Sequence, residues 1–160
     1  MCYSLQRYSY YSLNWLINLG YWCFFTCIIS LKLNDIISIT NQHSHTGAWS
    51  ADSSDANPWI QANFNGEKTV SSITTQGRHD DDHWVTSYTV TYADSSGNWH
   101  SVTDSSGNTL PFTANTDRNT AVTNSMPDGV VASNVRLWPV TWNGRVSMRF
   151  MVQGCDYVGK

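Results

Sequence analysis

Residues 84–93, WVTSYTVTYA, form the clearest strand pattern in the chain and decide its fold class. Side chains with a period of two fall on opposite faces of an extended strand. Here the two faces carry Trp84, Thr86, Tyr88, Val90 and Tyr92 on one side, and Val85, Ser87, Thr89 and Thr91 on the other. We expect one face to be buried in a core and the other to be exposed to solvent, as in a sheet that is covered on one side.

The segment before this strand, residues 59–75, predicts further antiparallel pairing. Ile60, Ala62 and Phe64 alternate with polar residues, and Val70–Thr75 is again β-prone. Between these two runs, Asn65-Gly66 is a residue pair that tolerates positive φ in a tight turn. We therefore expect a turn at Asn65-Gly66.

A charged loop separates these strands from Trp84. Residues 76–83, QGRHDDDH, carry six ionisable side chains and no aliphatic one, namely Arg78, His79, Asp80, Asp81, Asp82 and His83. Loops held between the strands of a rigid framework are common places for binding residues. This loop is the first candidate for a functional site.

The composition favours one all-β domain. A chain of 160 residues suits a single core. Thr, Ser, Val, Asn and Trp dominate the second half, and no long window rich in Ala, Leu, Glu and Lys predicts a helix. From Asn34 onward, the chain holds all twelve acidic residues and seven of the nine Lys and Arg residues, a net charge of −5 with neutral His. This charge disfavours nucleic acid and anionic lipid as partners, because both are polyanions.

The first 33 residues differ in composition from the rest. They contain no acidic residue, and no residue from Leu13 to Leu31 is charged. Such a segment is typical of a secretion signal or a signal anchor. Because Asn, Gly and Trp dilute its hydrophobicity, another interpretation is that residues 1–33 do not belong to the mature protein. The sequence leaves both interpretations open.

Turn signals recur through the remainder of the chain at about the spacing of β-sandwiches and barrels. Two Asp-Ser-Ser-Gly-Asn segments, Asp94–Asn98 and Asp104–Asn108, predict hairpin loops, and Pro127–Gly129 predicts another turn. Further strand candidates are Ile36–Thr40, Thr120–Met126, Val131–Trp138 and a last strand whose inner face is Val146, Met148, Phe150 and Val152. The whole predicts about eight antiparallel strands and no helix.

Several separate motifs occur in one order along this chain. They are Gly47-Ala48-Trp49, Trp59-Ile60-Gln61, Thr75-Gln76-Gly77-Arg78, Trp84-Val85-Thr86-Ser87-Tyr88, Asn115-Thr116-Asp117-Arg118-Asn119-Thr120, Val135-Arg136-Leu137 with Pro139, Trp142, and Gly154-Cys155. In this combination, residues 46–155 resemble the discoidin domain, also called the coagulation factor 5/8 type C domain. The resemblance implies a discoidin-like distorted jelly-roll β-barrel of about eight strands, with binding loops at one end and its ends held by a disulfide. We assign the domain to residues 34–160.

The chain departs from the family pattern in three places. The family has a longer stretch before the Gly-Ala-Trp motif, with its first cysteine and first binding loop, where this chain has only Asn34–His45. Ala62–Gly66 stands where the family has Asp-Leu-Gly after its Trp-Ile-Gln strand. Cys155 matches the closing cysteine of the family, and the resemblance implies a disulfide whose partner is Cys2, Cys23 or Cys27.

The resemblance places Arg78 at the binding end, where the same arginine contributes to ligand contact in collagen-receptor members. A guanidinium can grip a carboxylate or sugar hydroxyls with several donors at once. The alternative is an internal salt bridge from Arg78 to Asp80, Asp81 or Asp82 that only orders the loop. Trp142 precedes a turn at Asn143-Gly144-Arg145, and we include Trp142, Arg145 and the six ionisable residues of 76–83 among the candidate ligand-binding residues.

Metal binding is a weaker hypothesis for the same loop. Asp80, Asp81 and Asp82 could supply oxygen ligands to Ca²⁺, although a solvated acidic loop is the commoner meaning of such a run. His79 and His83 are four residues apart, a spacing that brings two imidazoles together on a helix but not on a loop. We therefore predict no zinc site and no obligatory cofactor, with Ca²⁺ left open.

We expect the remaining tryptophans of the domain to be packing residues rather than contacts, in particular Trp49, Trp59, Trp84 and Trp99. The sequence contains no nucleophile elbow, zinc-protease motif or phosphate loop, so we do not predict an enzyme.

The predicted function is that of an extracellular, secreted or cell-surface recognition module. It would engage a glycan or an extracellular protein such as collagen through the loops near Arg78 and Trp142. The alternatives are a carbohydrate-binding module that belongs to a larger hydrolase and a phospholipid-binding module. The acidic loop argues against a membrane surface, and the sequence does not indicate an oligomeric state.

Overall fold

The computed structural model describes residues 36–40, 44–45 and 48–158. The predictions for residues 1–33 and the three N-terminal cysteines therefore fall outside the described residues. Cys155 is disulfide-bonded, as the resemblance implied, and its partner also lies outside the described ranges.

The described residues form nine strands and no helix, which confirms the all-β prediction. The strands are β1 (Ile36–Thr40), β2 (Ser44–His45), β3 (Ala48–Ser50), β4 (Ile60–Gln76), β5 (Trp84–Ala93), β6 (Trp99–Ser101), β7 (Phe112–Thr113), β8 (Val122–Asn143) and β9 (Ser147–Asp156). Within these ranges no helix has the length and hydropathy of a membrane span.

All nine strands belong to one antiparallel sheet whose order is β2-β3-β9-β4-β8-β5-β6, with β1 on β4 and β7 on β5. The two long strands β4 and β8 lie side by side at its centre. The first half of β4 pairs with β1 and β8, and its second half pairs with β9 and β8. The second half of β8 also pairs with β5, so β8 connects β4 and β9 on one side of the sheet with β5 and β6 on the other.

One hydrophobic core lies on the inner face of this curved sheet. Its fully buried members come mainly from the four long strands β4, β5, β8 and β9. They include Val70, Ile73, Val85, Tyr88, Val90, Val135, Leu137, Met148 and Val152. Of the inner face predicted for the last strand, Val146, Met148 and Val152 are buried, whereas Phe150 is only partly buried. Ser147 of the opposite face is also buried, and its hydroxyl bonds that of Ser50 at 2.6 Å.

The turn predicted at Asn65-Gly66 is wrong. β4 continues through these residues, and the pairing of β4 with β8 shifts between Asn63 and Lys68. Gly66 does have the positive φ that the pair tolerates, at 77°. A bulge uses the same backbone conformation as a tight turn, so the residue chemistry alone cannot separate the two.

The turn predicted at Pro127–Gly129 is wrong for a similar reason. β8 runs without interruption from Val122 to Asn143. Its partner along β4 changes from Ser125↔Ser72 to Val130↔Val70, so the residues between Ser125 and Val130 are accommodated as a wide irregularity in the ladder. A strand of this length bends at such a point, and proline is tolerated there.

The face assigned to β5 is wrong at its start. Val85 is fully buried, whereas Trp84 is only half-buried and Thr86 bonds through its hydroxyl to Thr141 at 2.5 Å. The pairing of β5 with β8 shifts on both sides of Ser87. One extra residue reverses the inward and outward faces, so the alternation predicted from Tyr88 onward does not extend back to Trp84.

The two predicted hairpin loops are confirmed by their backbone. In the first, the Asp94 amide donates to the Asn98 carbonyl at 3.0 Å and Gly97 has a φ of 82°. In the second, Gly107 has a φ of 83° and the Asp104 amide donates to the Asn108 carbonyl at 2.9 Å. His100 and backbone amides of the first loop bond the Asp94 carboxylate, which lowers the pKa of this group to about 2.

The predicted packing role of the tryptophans holds in part. Trp49 is buried in the core, as expected. Trp59 and Trp84 are half-buried, and Trp99 is 43% exposed, so the prediction that Trp99 is a packing residue is wrong. β6, which carries Trp99, is an outer strand of the sheet, and all three of its residues are exposed.

The close approach of β4 and β9 depends on Gly154. A Cβ atom at this position would lie 2.1 Å from the Thr69 carbonyl oxygen, a backbone atom that cannot move aside cheaply. We expect Gly154→Ala to lower the free energy of unfolding by about 3 kcal/mol. The matched control is Gly66→Ala, where an added Cβ meets open space and only the positive φ is strained, at about 1 kcal/mol. Urea denaturation of both variants measures the difference, and an equal cost at the two positions would contradict it.

Candidate functional site

Four connecting segments meet at one end of the sheet, which we call the loop end. They are residues 51–59, 77–83, 114–121 and 144–146. Antiparallel pairing brings them together, because Thr75↔Val122, Gln76↔Arg149, Trp84↔Asn143 and Ser50↔Ser147 are neighbouring pairs. Seven of the eight residues that the sequence nominated for ligand binding lie in these segments, and the eighth, Trp142, lies next to them at the end of β8.

Arg149, at the start of β9, braces two of these segments. Its Nε donates to the Gly77 carbonyl at 2.8 Å, and its Nη2 donates to the Arg118 carbonyl at 2.8 Å and to Asn119 Oδ1 at 3.0 Å. Guanidinium donors that bond carbonyl oxygens satisfy backbone groups that a loop cannot pair within itself. Segments 77–83 and 114–121 are therefore fixed relative to β9.

Buried Asn115 adds a second connection, between segment 114–121 and β4. Its Nδ2 donates to the Thr75 carbonyl at 3.0 Å and to the Thr120 carbonyl at 2.8 Å. The Asp117 carboxylate accepts the Asn119 and Thr120 amides at 2.7 and 2.6 Å. A hydrogen bond from the Thr120 side chain, together with these two amide bonds, lowers the pKa of Asp117. The Asn115–Thr120 motif is thus a folded loop held by its own side chains.

Arg78 is paired within its own loop. Its Nε and Nη2 donate to the two carboxylate oxygens of Asp80 at 2.7 and 3.2 Å, and its side chain is only 14% exposed. The bond to Asp80 raises the pKa of Arg78, and the bond from Arg78 lowers the pKa of Asp80. This geometry is the internal salt bridge that the sequence left as an alternative. A role for Arg78 in ligand contact stays a prediction.

The other acidic residues of the loop have separate partners. Arg118 Nε donates to Asp82 at 2.7 Å, which lowers the pKa of Asp82. His83 Nδ1 lies 3.4 Å from Asp81 Oδ2, which is within ion-pair distance. The geometry of this contact is not that of a hydrogen bond. The nitrogen is buried and has no hydrogen-bond partner among the described residues. The three carboxylates thus face three different cations or rings, and within the described ranges no three His, Cys, Asp or Glu residues converge as metal ligands. The Ca²⁺ hypothesis gains no support from this arrangement.

His83 joins this loop to the turn between β8 and β9. A Cβ atom at Gly144 would lie 2.3 Å from His83 Cδ2, so the ring is packed directly on the glycine, whose φ is 65°. Asn143 Nδ2 also donates to the Asp82 carbonyl at 2.8 Å. His79, by contrast, is exposed, so the two histidines have different surroundings.

Trp142 and Arg145 lie at the mouth of a cleft on the other side of this turn. The cleft has a volume of about 220 Å³, and its other lining residues are Ala51, Asp52, Ser53, Asp55, Pro58, Gly144 and Val146. Trp142 is 45% exposed. Arg145 Nε is buried and has no hydrogen-bond acceptor in the described structure. The cleft therefore combines an exposed aromatic ring with a guanidinium, two kinds of group that are common in ligand-binding clefts.

The opposite wall of the cleft carries two aspartates, Asp52 and Asp55. Asp52 Oδ1 accepts the Ser54 amide at 2.9 Å, and Asp55 Oδ1 accepts the Asn57 amide at 3.0 Å, so each begins a local turn. These bonds hold the carboxylates at fixed positions in segment 51–58. The cleft therefore presents an aromatic ring, a guanidinium and carboxylates around one small volume.

The structure thus divides the nominated residues into two groups: the paired loop from Arg78 to His83, and the open cleft at Trp142 and Arg145. Sequence reasoning missed Asp52, Asp55, Arg118 and Arg149. The Asp-x-Ser and Asp-x-Asn spacing of the first two signals turns. No local signal marks the two arginines, because their partners are distant in the chain.

Three comparisons with known proteins agree with this fold. The family model of the F5/8 type C domain matches residues 35–152. Retinoschisin of Mus musculus is 36% identical over 109 residues, which are 68% of this chain and 49% of that protein, and human retinoschisin is 35% identical over the same length. The chain spans about half the length of these curated relatives.

Two solved structures illustrate the structural similarity. Wild-type discoidin II from Dictyostelium discoideum has a TM-score of 0.62 at 32% sequence identity, over 69% of this chain and 42% of that one. The family 32 carbohydrate-binding module of NanJ from C. perfringens, solved in complex with galactose, has a TM-score of 0.52 at 17% identity, over 68% of this chain and 76% of that one. The first confirms the jelly-roll fold that the resemblance implied, and the second is similar in fold alone.

The Arg78–Asp80 pair should order its loop. Arg78→Ala and Asp80→Ala should therefore each lower the melting temperature by a few degrees. The melting temperature of the double variant should be little lower than that of either single variant. Because the folded-state pKa of Asp80 is lowered, the stabilisation is present above its unfolded pKa and is lost as the pH falls through the folded pKa. The difference between wild type and Arg78→Ala should therefore shrink below about pH 4. Thermal melts at neutral and acidic pH measure this, and losses that add fully in the double variant would contradict it.

Proposed function

Because this chain belongs to the F5/8 type C, or discoidin, domain family, we propose that it is a non-catalytic, extracellular recognition module that binds a glycan at its loop end. Membership of the family supports the role of a binding module. The glycan is our inference from the residues of the loop end, and the extracellular location is our inference from the family and from the disulfide at Cys155.

The observation that carries this proposal is the cleft beside Trp142. Its volume of about 220 Å³ is below the range of drug-sized pockets and suits a single sugar ring. Arg145 lines it with a buried Nε that lacks an acceptor. Besides this Nε, the guanidinium carries four N–H donors on its two terminal nitrogens, and these can bond the oxygens of a ligand in the cleft.

Each wall of the cleft has a matching feature on a sugar. The exposed ring of Trp142 can pack against the apolar C–H face of a pyranose, as aromatic rings pack on other flat apolar surfaces. Arg145 donates to ring hydroxyls, and the carboxylates of Asp52 and Asp55 accept from them. Directional polar groups around one aromatic surface provide the orientation that selects one sugar over its epimers.

Collagen-like protein and phospholipid are the other candidates from the sequence. The collagen hypothesis depends on Arg78, whose guanidinium is engaged by Asp80, so the geometry does not favour it. A phospholipid headgroup would approach a loop end that carries Asp80, Asp81 and Asp82, and like charges oppose this approach. The alternative of a carbohydrate-binding module from a larger hydrolase uses the same cleft, and only neighbouring catalytic sequence separates it from an adhesion module.

We expect Trp142→Ala to weaken binding to a glycan identified on an array by about tenfold or more, roughly 1.4 kcal/mol, with little change in melting temperature. Trp142 is half-exposed, so its removal leaves no core cavity. Arg145→Lys should also weaken binding, because it keeps the charge and loses the planar set of guanidinium donors. Isothermal titration calorimetry with the selected glycan, beside thermal melts, measures both effects.

The matched control is Tyr157→Ala, which removes an aromatic side chain of similar exposure, 43%, just beyond the opposite end of β9. It should leave binding unchanged. Equal loss in the control and in Trp142→Ala, or full binding by Trp142→Ala, would reject the cleft as the site. Binding to collagen peptides that depends on Arg78 but not on Trp142 would favour the protein ligand instead.

A further inference from the structure

A second group of polar and aromatic residues lies on the outer face of the sheet, away from the loop end. The guanidinium of Arg136, on β8, is stacked between two indole rings, with its Cζ 4.1 Å from the ring centroid of Trp59 and 4.2 Å from that of Trp99. Trp138 is a third neighbour, at 5.3 Å. We call these four residues the Trp–Arg cluster.

Strand alternation places the cluster on the outer face. In β8, Val135 and Leu137 are buried in the core, whereas Arg136 and Trp138 between and after them are half-buried. Trp99 on β6 is 43% exposed. The cluster is therefore open to solvent on one side, unlike the core tryptophan Trp49.

Hydrogen bonds hold two members of the cluster, Arg136 and Trp138, in place. Arg136 Nε and Nη2 both donate to Gln61 Oε1, at 2.9 and 2.8 Å, and the Gln61 amide in turn donates to Asn63 on the same strand. Trp138 Nε1 donates to Thr91 Oγ1 at 3.0 Å. The guanidinium is thus held against the Trp59 and Trp99 rings before any ligand arrives, which lowers the entropic cost of binding.

The positive charge of Arg136 is not balanced by a carboxylate. Lys68, Arg78 and Arg118 each lie against an aspartate, but within the described part of the chain no acidic group is within ion-pair distance of Arg136. Burial by the surrounding rings lowers the pKa of Arg136. A partly desolvated cation without a counter-charge attracts an anion more strongly than a fully hydrated one.

One end of the guanidinium remains available. Nε and one Nη2 hydrogen are used by Gln61, while Nη1 donates to no acceptor among the described residues. The Nη1 and Nη2 end can therefore form the two parallel bonds that a planar carboxylate accepts. The indole Nε1 of Trp99 likewise has no described acceptor and can donate to a hydroxyl beside that carboxylate.

We propose that the Trp–Arg cluster is a second binding site, which takes a carboxylate-bearing saccharide such as a uronic acid residue of an acidic glycan. The carboxylate pairs with the free end of Arg136, and the pyranose ring packs against the exposed indole of Trp99. Charge complementarity selects an anion, and the ring surface with its adjacent N–H donor selects a sugar over a bare anion.

The probe is a tetrasaccharide of alternating glucuronic acid and N-acetylglucosamine, compared with its carboxyl methyl ester, which has the same rings without the charge. Titration followed by the indole N–H resonances of the full chain should show shifts at Trp99 with the acid form and at least tenfold weaker binding of the ester. Arg136→Lys should weaken binding of the acid form by about tenfold, because it keeps the charge and loses the fork.

Trp99→Ala should also abolish the preference for the acid form. Because Trp99 lies on an exposed outer strand, its removal should leave the fold intact, so this variant still tests the site if Arg136→Lys loses stability. The control is Trp142→Ala, which should retain binding of the acid form even where glycan binding at the loop end is lost. Loss of acid-form binding in Trp142→Ala would place the ligand at the loop end and overturn the proposal. The proposal would also be overturned if the ester bound as tightly as the acid form. It would likewise be overturned if an aspartate-containing peptide of similar length bound more tightly than the tetrasaccharide.

Discussion

The sheet depends on one strand that is hydrogen-bonded along both of its edges. β8 spans Val122–Asn143, with β4 on one side and β5 on the other. Its inward side chains Val135 and Leu137 are buried in the core on the inner face of the sheet. Because β8 ends at the loop end and carries Arg136 on its outer face, both candidate sites take their position from this one strand.

The period of two predicted the strands well and their faces less well. It was right for β9, where Met148 and Val152 are buried as expected. It failed at the start of β5, where one extra residue near Ser87 reverses the faces. Such an irregularity arises from the fit between two strands that are far apart in sequence, so the pattern of a single strand contains no signal of it. The positive φ of Gly66 shows the same limit, because turns and bulges both use it.

The candidate site was predictable where it depends on local chemistry. The exposure of Trp142 follows from its place before an Asn-Gly turn, and the pairing of Arg78 with Asp80 was one of two stated alternatives. The brace formed by Arg149 was not predictable, because its acceptors lie in two other loops. Nor was the Trp–Arg cluster, although Trp59 and Arg136 each occur in a recognisable motif. Strand pairing, which brings β4, β6 and β8 together, created that contact.

The ends of the strand order are short. β2 contains two residues and β6 contains three, so at these two positions the sheet exposes only a few unpaired backbone amides and carbonyls. Long, flat outer strands act as templates for further strands, and short ones do not. In its described part, the domain therefore has little tendency to polymerise through these edges. A domain with short outer strands can present exposed aromatic side chains such as Trp99 and Trp142 without also presenting a long strand edge that would pair with a second copy.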